Sequence, residues 1–538
     1  MSLVKSSFFF ATGTFLSRIV GLLRESLVAA VFGANVYLDA FLVANRIPNL
    51  LRELVAEGAL GASFTKVYSE RACQDSSAAT RLLRQSLLFF GVSVGALTLL
   101  GIWFAPELVD LLTLFTAHTP EKELLRTQSV AFTRILFPFI WFMALTAILA
   151  GALYQEERFF LPSISPMVLN LGYIVGATVL AAGCSALPAA WFPWPTLHRG
   201  IFGLSIGVLL GGLGQFWMHV VIVRRRWRGS SLPWPRFELT PDLKKILVLM
   251  GPMLLAASSG QINVLINTNF ATQLEEGAVS WLTFSFRVLQ LPIGIFAVAV
   301  GSVCLPRMSR AYSTGSVETQ KSRLSEEVQN STELLIWLIM PCFCFTACNS
   351  RLIVELLFHY GNFSPYAVDQ TALALYAYNF SLLGYSLVKV LTPFYYVIEK
   401  TTFPMWVGVG SIVLNFGSNY LLAQRYGHVG IAATMAIVLT LNALILGGGA
   451  LWHGVRFSRT AMGGFLSIAL ATGACLWGQH MLHTYGDPWI FTRIHFPKLR
   501  VGVILGLQGL AIGGLFVTAA CLRFQKMPMD LLRWKARK

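Results

Sequence analysis

SRIVGLLRESLVAAVFGANVYLDAFLVANRIPNLLRELVAEGALGASF, residues 17–64, decides what kind of molecule this chain is. Two apolar runs flank Gly33–Ala34, and between them they carry Arg18, Arg24, Glu25, Asp39, Arg46, Arg52, Glu53 and Glu57. Each run is long enough for a helix that crosses a bilayer, which needs about 20 mostly apolar residues. A charge at the centre of such a helix costs about 2.5–3.5 kcal/mol on insertion scales. A set this large therefore faces a water-filled or protein-lined interior, pairs internally, or reaches the membrane surface. At 100° per residue, Arg18 and Glu25 share one face. Asp39, Arg46 and Glu53 share another, and Glu53 and Glu57 lie one turn apart. Arg24 and Arg52 fall off these stripes, which leaves them freer to meet something other than a fixed carboxylate. Pro48 is expected to kink the second helix amid its charges. Two readings stand: an ion-pair network that joins two helices, or the wall of a cavity.

The rest of the chain sets the solvent. Of 538 residues, 55% are hydrophobic and only 12% charged, against about 25% charged in soluble domains. Fourteen spans are expected, near 8–32, 36–65, 84–105, 130–153, 162–183, 200–223, 246–272, 278–305, 331–348, 371–396, 404–423, 429–450, 461–482 and 501–522. With the N-terminus in the cytoplasm, Lys and Arg divide 26 inside to 8 outside, the asymmetry of an N-in, C-in protein. That asymmetry accounts for the net charge of +16 without nucleic acid. Arg18, Arg24 and Glu25 interrupt the first apolar stretch and no small-residue cleavage site ends it, so it reads as a retained span. The eight cysteines form no CxxC pair. Cys342, Cys344 and Cys348 read as structural thiols, and no metal site or cofactor is expected.

A weak repeat runs through the chain. Gly33–Ala34 and Gly277–Ala278, Tyr37 and Trp281, and Pro48 and Pro292 all lie 244 residues apart. Two parallel six-helix lobes related by an axis along the membrane normal explain it. The expected division is an N-terminal lobe at 1–223, a basic linker at 224–245, a C-terminal lobe at 246–450, and two further helices with a basic tail at 451–538. In the second lobe Arg287 lies 244 residues after Val43, one turn from Arg46 in the repeat frame. Lys389 and Arg134 are the other cations within spans. Asn263 with Asn267, and Asn415 with Asn419, are amide pairs one turn apart, read as hydrogen-bonding groups. Gly203, Gly207 and Gly211 read as a close helix contact.

Within the spans arginine is in excess. Its planar fork of donors grips phosphate in bidentate fashion, so a cavity holding several arginines suits an anion, with phosphate or diphosphate the best match. No P-loop, HExxH, GxSxG or paired-carboxylate motif lies in a soluble loop, and the loops are short. The chain does not read as an enzyme.

The stretches SRIVGLLRE, DAFLVANRIPNLLRELVAEGALGASF, QINVLINTNFA, KVLTPFYY and HYGNF resemble the MurJ (MviN) family of lipid II flippases, within the multidrug/oligosaccharidyl-lipid/polysaccharide exporter superfamily. The resemblance implies an all-α polytopic membrane protein: fourteen transmembrane helices, in two six-helix lobes around a central cavity plus two C-terminal helices. It implies a bacterial inner-membrane location and movement of lipid II, an undecaprenyl-diphosphate-linked disaccharide-pentapeptide, to the outer leaflet for cell-wall synthesis. Membrane lipids surround it, and partner proteins of cell-wall synthesis are not readable from the residues. The family's cavity arginines carry over onto Arg18, Arg24, Arg52 and Arg287, and its acidic residue onto Asp39. Arg46 stands where some relatives have Lys. Glu25, Glu53, Glu57, Pro48 and Lys389 are expected in support. Two departures show: Glu25 replaces a common Asp, and Phe286 stands where an Asp often precedes the span 8 arginine. The alternatives are an exporter of another lipid-linked oligosaccharide or of drugs, and a membrane enzyme acting on prenyl diphosphates.

Overall fold

The computed structural model describes residues 3–114, 119–156, 158, 160–186, 196–227, 235–313, 317–455, 459–481 and 497–524. The described residues are helical almost throughout. In chain order the helices are α1 (Leu3–Phe32), α2 (Val36–Leu51), α3 (Gly61–Gln74), α4 (Ser76–Trp103), α5 (Ala105–Leu112), α6 (Pro120–Leu136), α7 (Pro138–Gln155), α8 (Phe160–Val175), α9 (Ala181–Ala186) and α10 (Thr196–Trp227). They continue as α11 (Pro241–Thr272), α12 (Ala278–Pro292), α13 (Val298–Ser313), α14 (Val317–Phe358), α15 (Pro365–Asn379), α16 (Ser381–Val397), α17 (Thr402–Trp452), α18 (Arg459–Met481) and α19 (Pro497–Phe524). Three π-helical segments interrupt them: π1 (Arg52–Leu60), π2 (Gly176–Leu180) and π3 (Ile293–Ala297). The side chain of Glu57, the basic stretch 228–234 and the tail from 525 lie outside the described residues.

Each expected span falls on helix. By length and apolarity alone, eight helices among the described residues qualify as crossings, or nine with the bent α11 as one span. The shortfall has physical causes. The charges of residues 17–57 depress the apolarity of α1 and of α2–π1–α3. The 51 residues of α17 hold two spans joined at Gly427, whose φ of 57° breaks the helix. A break between Asn379 and Ser381 divides the tenth span into α15 and α16. The chain is thus an all-α polytopic membrane protein.

The repeat at an offset of 244 has a backbone counterpart. Gly33 and Gly277 both adopt positive φ, at 72° and 92°, a conformation that a Cβ disfavours. Each precedes a helix of 15 or 16 residues containing Pro48 or Pro292. Each helix then passes into a π segment, π1 or π3. Proline removes a ladder donor and crowds the preceding turn. A π segment re-aims every side chain after it and is frequent at functional sites.

The chain divides into two compact units. The first holds residues up to Ser280 together with Tyr360–Ala367, and the second holds Trp281–His359 with the chain from Val368 onward. In the first, α8 and α10 meet along glycines. A Cβ on Gly207 would fall 2.5 Å from the carbonyl oxygen of Gly172, and one on Gly172 would fall 2.6 Å from that of Gly207. The contact is backbone against backbone, so Gly207→Val must separate the helices. Overpacking costs typically about 1–3 kcal/mol, occasionally more. The expected result is a thermal midpoint in detergent lowered by several degrees, read by tryptophan fluorescence, with Gly183→Ala, which meets open space, unchanged.

Two ion pairs fasten α11 to α3 in the same unit. Arg71 grips Asp242 with two bonds of 2.9 and 2.7 Å. Lys245 meets Glu70 at 2.5 Å and holds its carboxyl below the ordinary range. In the second unit Trp337, Cys344, Cys475, Ile512 and Phe516 form an apolar cluster joining α14, α18 and α19. Cys344 and Cys475 are free thiols inside it. Lys498 fastens α19 further by donating to the carbonyls of Glu355 and His359, at 2.8 and 2.7 Å. These are carbonyls at the end of α14, where helical partners run out.

Candidate functional site

Arg24 is held by polar and aromatic contacts in which three helices take part. It sits on α1 with its side chain 12% exposed. One terminal nitrogen donates to Asn170 Oδ1 at 3.0 Å, and the other pairs with Glu25. The guanidinium carbon lies 4.4 Å from the centre of the Tyr173 ring, within cation–π range. Asn170 in turn donates to the Ser17 carbonyl at 3.1 Å. The Tyr173 hydroxyl accepts from Asn45 at 3.2 Å, and its ring packs edge-on against Phe41. Three helices, α1, α2 and α8, thus fix one guanidinium. Its Nε is buried and makes no hydrogen bond among the described residues. Two of the five N–H donors of this preorganised cation are thus engaged by Asn170 and Glu25, which leaves donors for an anionic guest.

Carboxylates also lie beside the two arginines that fall off the stripes. Glu25, buried at 6% exposure, takes the adjacent Arg24, which spacing alone had left free of a carboxylate. Arg52 also has a carboxylate nearby, with Glu53 at 3.8 Å. Glu53 accepts from Asn49 and from Gln261 of α11, each at 2.9 Å. Both Arg52 and Glu53 lie at the start of π1, where the helical register of the seven-residue stripe is lost. Arg18 and Arg46 are half-buried on α1 and α2. The side chain of Glu57 lies outside the described residues.

Asp39 is placed differently from any arginine partner. Its carboxylate, 4% exposed, accepts from the backbone N–H of Gly277 and of Ser280, each at 2.8 Å, and from the Ser280 hydroxyl at 2.6 Å. The first turn of a helix has N–H groups with no partner in their own helix, and Asp39 of α2 satisfies those at the start of α12. Beside it Glu276 accepts from the Val36 N–H at 2.8 Å. Lys122 donates to the carbonyls of Thr272 and Leu274 at the end of α11. The turns before α2 and before α12 are therefore joined by polar contacts within the first unit.

In the second unit Arg287 is half-buried on α12 and donates to Gln290 at 3.1 Å. Gln290 is the repeat counterpart of Arg46. The departing residue Phe286 packs its ring 5.6 Å from that of Tyr378, so an aromatic contact stands where a carboxylate was expected. Lys389 and Arg134, the other cations within the expected spans, are both exposed. Lys389 lies 5.6 Å from the Tyr385 ring. Their long stems let the charged end leave the apolar region. Asn419 donates to Asn415 at 2.9 Å within α17. No group of three or more metal-ligating side chains occurs among the described residues.

Asn170, Tyr173 and Ser280 were not singled out from the sequence. The signal for the first two was available: a polar amide and a phenol three residues apart in the apolar run SISPMVLNLGYIV. A cavity of 410 Å³ near Pro48 is lined by Ile47, Leu51, Leu100 and Leu265 among other apolar residues. It offers no donor to an anion and is separate from this arrangement.

The comparisons with known proteins bear on the whole chain. The family model described as lipid II flippase MurJ matches residues 28–496. "Probable lipid II flippase MurJ" of Vibrio cholerae is 31% identical over 527 residues, covering 94% of each chain. "Lipid II flippase MurJ" of Burkholderia cenocepacia is 31% identical, covering 80% of this chain and 81% of its own. A solved lipid II flippase MurJ in an inward closed conformation superposes with a TM-score of 0.75 at 23% identity, over 98% of this chain and all of that one. An inward-facing multidrug transporter of the MATE family superposes with a TM-score of 0.63 at 14% identity, over 84% of this chain and 95% of its own. At those identities the two solved structures speak to the fold alone.

Proposed function

The chain belongs to the lipid II flippase MurJ family, and from that membership we propose that it carries lipid II across the bacterial inner membrane by exposing one arginine-lined cavity to each side in turn. Family membership supplies the substrate and the location. The observation that carries the mechanism is Arg24: a guanidinium held by Asn170, Glu25 and Tyr173, with a buried Nε left over. A guanidinium held in this way has little side-chain freedom left to lose when it meets phosphate. Arg18, Arg46 and Arg52 share its two spans and would complete the grip on the diphosphate. Arg287 would join from the second lobe, with Lys389 as a peripheral cation. Glu25 and Glu53 orient the set, and Pro48 together with π1 gives the second span a pliable middle. Glu57 belongs to the same face by spacing.

The lobes we assign are 1–223 and 246–450, joined by the basic linker 224–245, with 451–538 as the appendage beside which the prenyl tail stays in lipid. Both termini lie in the cytoplasm on this reading. The turns at 33–35, 273–277 and 359–364 then face outward. The chemistry asked of the chain is binding and release, with no bond made or broken.

The driving force follows from charge. A negative interior moves anions outward at about 2.3 kcal/mol per charge per 100 mV, so two diphosphate charges gain about twice that if they cross the whole field. Collapsing the potential across vesicles that contain the purified protein and lipid II is expected to slow net outward movement at least tenfold, read by the fraction of head groups reached by an impermeant reagent. An unchanged rate would show that the diphosphate charge does not drive the cycle.

A further inference from the structure

The turn HYGNF at 359–363 does something that neither the diphosphate site nor the lobes explain. It lies between α14 and α15, and the chain on both sides of it packs in the second unit. Tyr360–Ala367 nevertheless packs in the first. Its contact there is with the end of α1. The backbone N–H of Asn362 donates to the Ala30 carbonyl at 2.8 Å. The Asn362 side chain donates to the Val31 carbonyl at 2.6 Å. These are carbonyls of the last helical turn, which have no partner in their own helix. One asparagine of a distant turn thus caps the first span twice.

The fit is built from both sides. Gly33 and Gly361 each adopt a left-handed conformation, with φ of 72° and 55°. A Cβ on Gly33 would sit 2.6 Å from the Asn362 carbonyl oxygen, and one on Gly361 would collide with the Ala30 carbonyl. Only glycine at both positions lets the two backbones approach so closely. Phe363 is 1% exposed and anchors the turn. Tyr366, at the start of α15, donates its hydroxyl to Glu275 at 3.1 Å, beside the turn that Asp39 holds. All these groups lie at the outer end of the spans on the topology proposed above.

We propose that the 359–363 turn is a clasp that holds the outer end of the first span, with Asn362 as its tooth, and that each transport cycle must release it before lipid II can leave outward. The clasp couples the span that carries Arg18 and Arg24 to the long helices α14 and α15. Release costs two hydrogen bonds and no covalent change, so it is reversible on the scale of a turnover. This inference rests on transport by alternating exposure, and the test separates the two.

Cysteines placed by Val31→Cys and Asn362→Cys are joined by a short, reducible bis-methanethiosulfonate reagent in vesicles containing lipid II. Cross-linking is expected to lower flipping at least tenfold, and reduction is expected to restore it. Each single variant flips at one rate with and without the reagent. Failure of the cross-link to form, or a fully cross-linked protein that flips at the reduced rate, would overturn the clasp. A second readout does not involve lipid II. Ala278 is fully buried beside the outer turns. In an Ala278→Cys background, Asn362→Ala is expected to raise labelling at residue 278 by an impermeant thiol reagent several-fold, with the site resolved by mass spectrometry. Unchanged labelling overturns the clasp. Labelling that rises in a protein whose unmodified form moves no lipid II upholds the clasp and contradicts transport.

Discussion

Arg24→Ala is expected to abolish the chain's support of growth in cells depleted of the native protein and to cut lipid II flipping at least a hundredfold in vesicles. Hydrogen bonds to a charged partner contribute about 1.5–3 kcal/mol each, and a guanidinium that meets diphosphate through two of them contributes about twice that. The neighbours make the loss specific. Asn170 and Tyr173 hold this side chain on one line, and neither Arg18 nor Arg46 shares those contacts. Arg24→Lys keeps the charge and loses the fork, so it is expected to fail nearly as badly. Glu25→Gln removes the paired carboxylate and keeps the size, and an intermediate rate is expected. Arg134→Ala removes an exposed arginine from another span and serves as the control, with the native rate. If Arg24→Lys flipped at the native rate, charge alone would suffice and the bidentate reading would be wrong.

The second large effect is expected at Asp39. Asp39→Ala leaves the N–H groups of Gly277 and Ser280 buried without their acceptor. Each such orphan costs about 1–3 kcal/mol. The variant is therefore expected to lose thermal stability in detergent by several degrees and to lose most of its flipping. Asp39→Asn tests the geometry more finely. An amide offers one oxygen where the carboxylate offers two, and its NH2 group would face a backbone N–H. A clear loss is expected there too, and Ser280→Ala, which removes one donor of three, is expected to cost about 1 kcal/mol. Were Asp39 merely orienting an arginine, Asp39→Asn would change substrate affinity and leave the thermal midpoint alone.

These two residues also show how far the sequence could be read. The fold was legible because its signals are local. Apolar length marks the spans, and the pairs Gly33/Gly277 and Pro48/Pro292 mark a turn and a helix break that the backbone repeats at the same offset. The charged set was legible as an energetic anomaly, and Arg24 is held by Asn170, Glu25 and Tyr173. Its partners were not legible. Asn170 and Tyr173 reach it from a span 146 and 149 residues away, and a one-chain sequence carries no pairing information over such distances. The stripe of Asp39, Arg46 and Glu53 assumes an unbroken 3.6-residue period, whereas π1 starts at Arg52 and shifts every residue after it. Asp39 was assigned to the charged wall because it is acidic. Its place in the first turn of its helix, opposite the N–H groups at the start of another helix, is a tertiary fact.

The most direct test of the account is leaflet-resolved detection of lipid II in cells from which the protein is depleted. The account predicts that lipid II accumulates in the inner leaflet and vanishes from the outer one, and that the native chain restores the outer pool while Arg24→Ala does not. An outer-leaflet pool that persists undiminished through depletion, or one restored in full by Arg24→Ala, would contradict it.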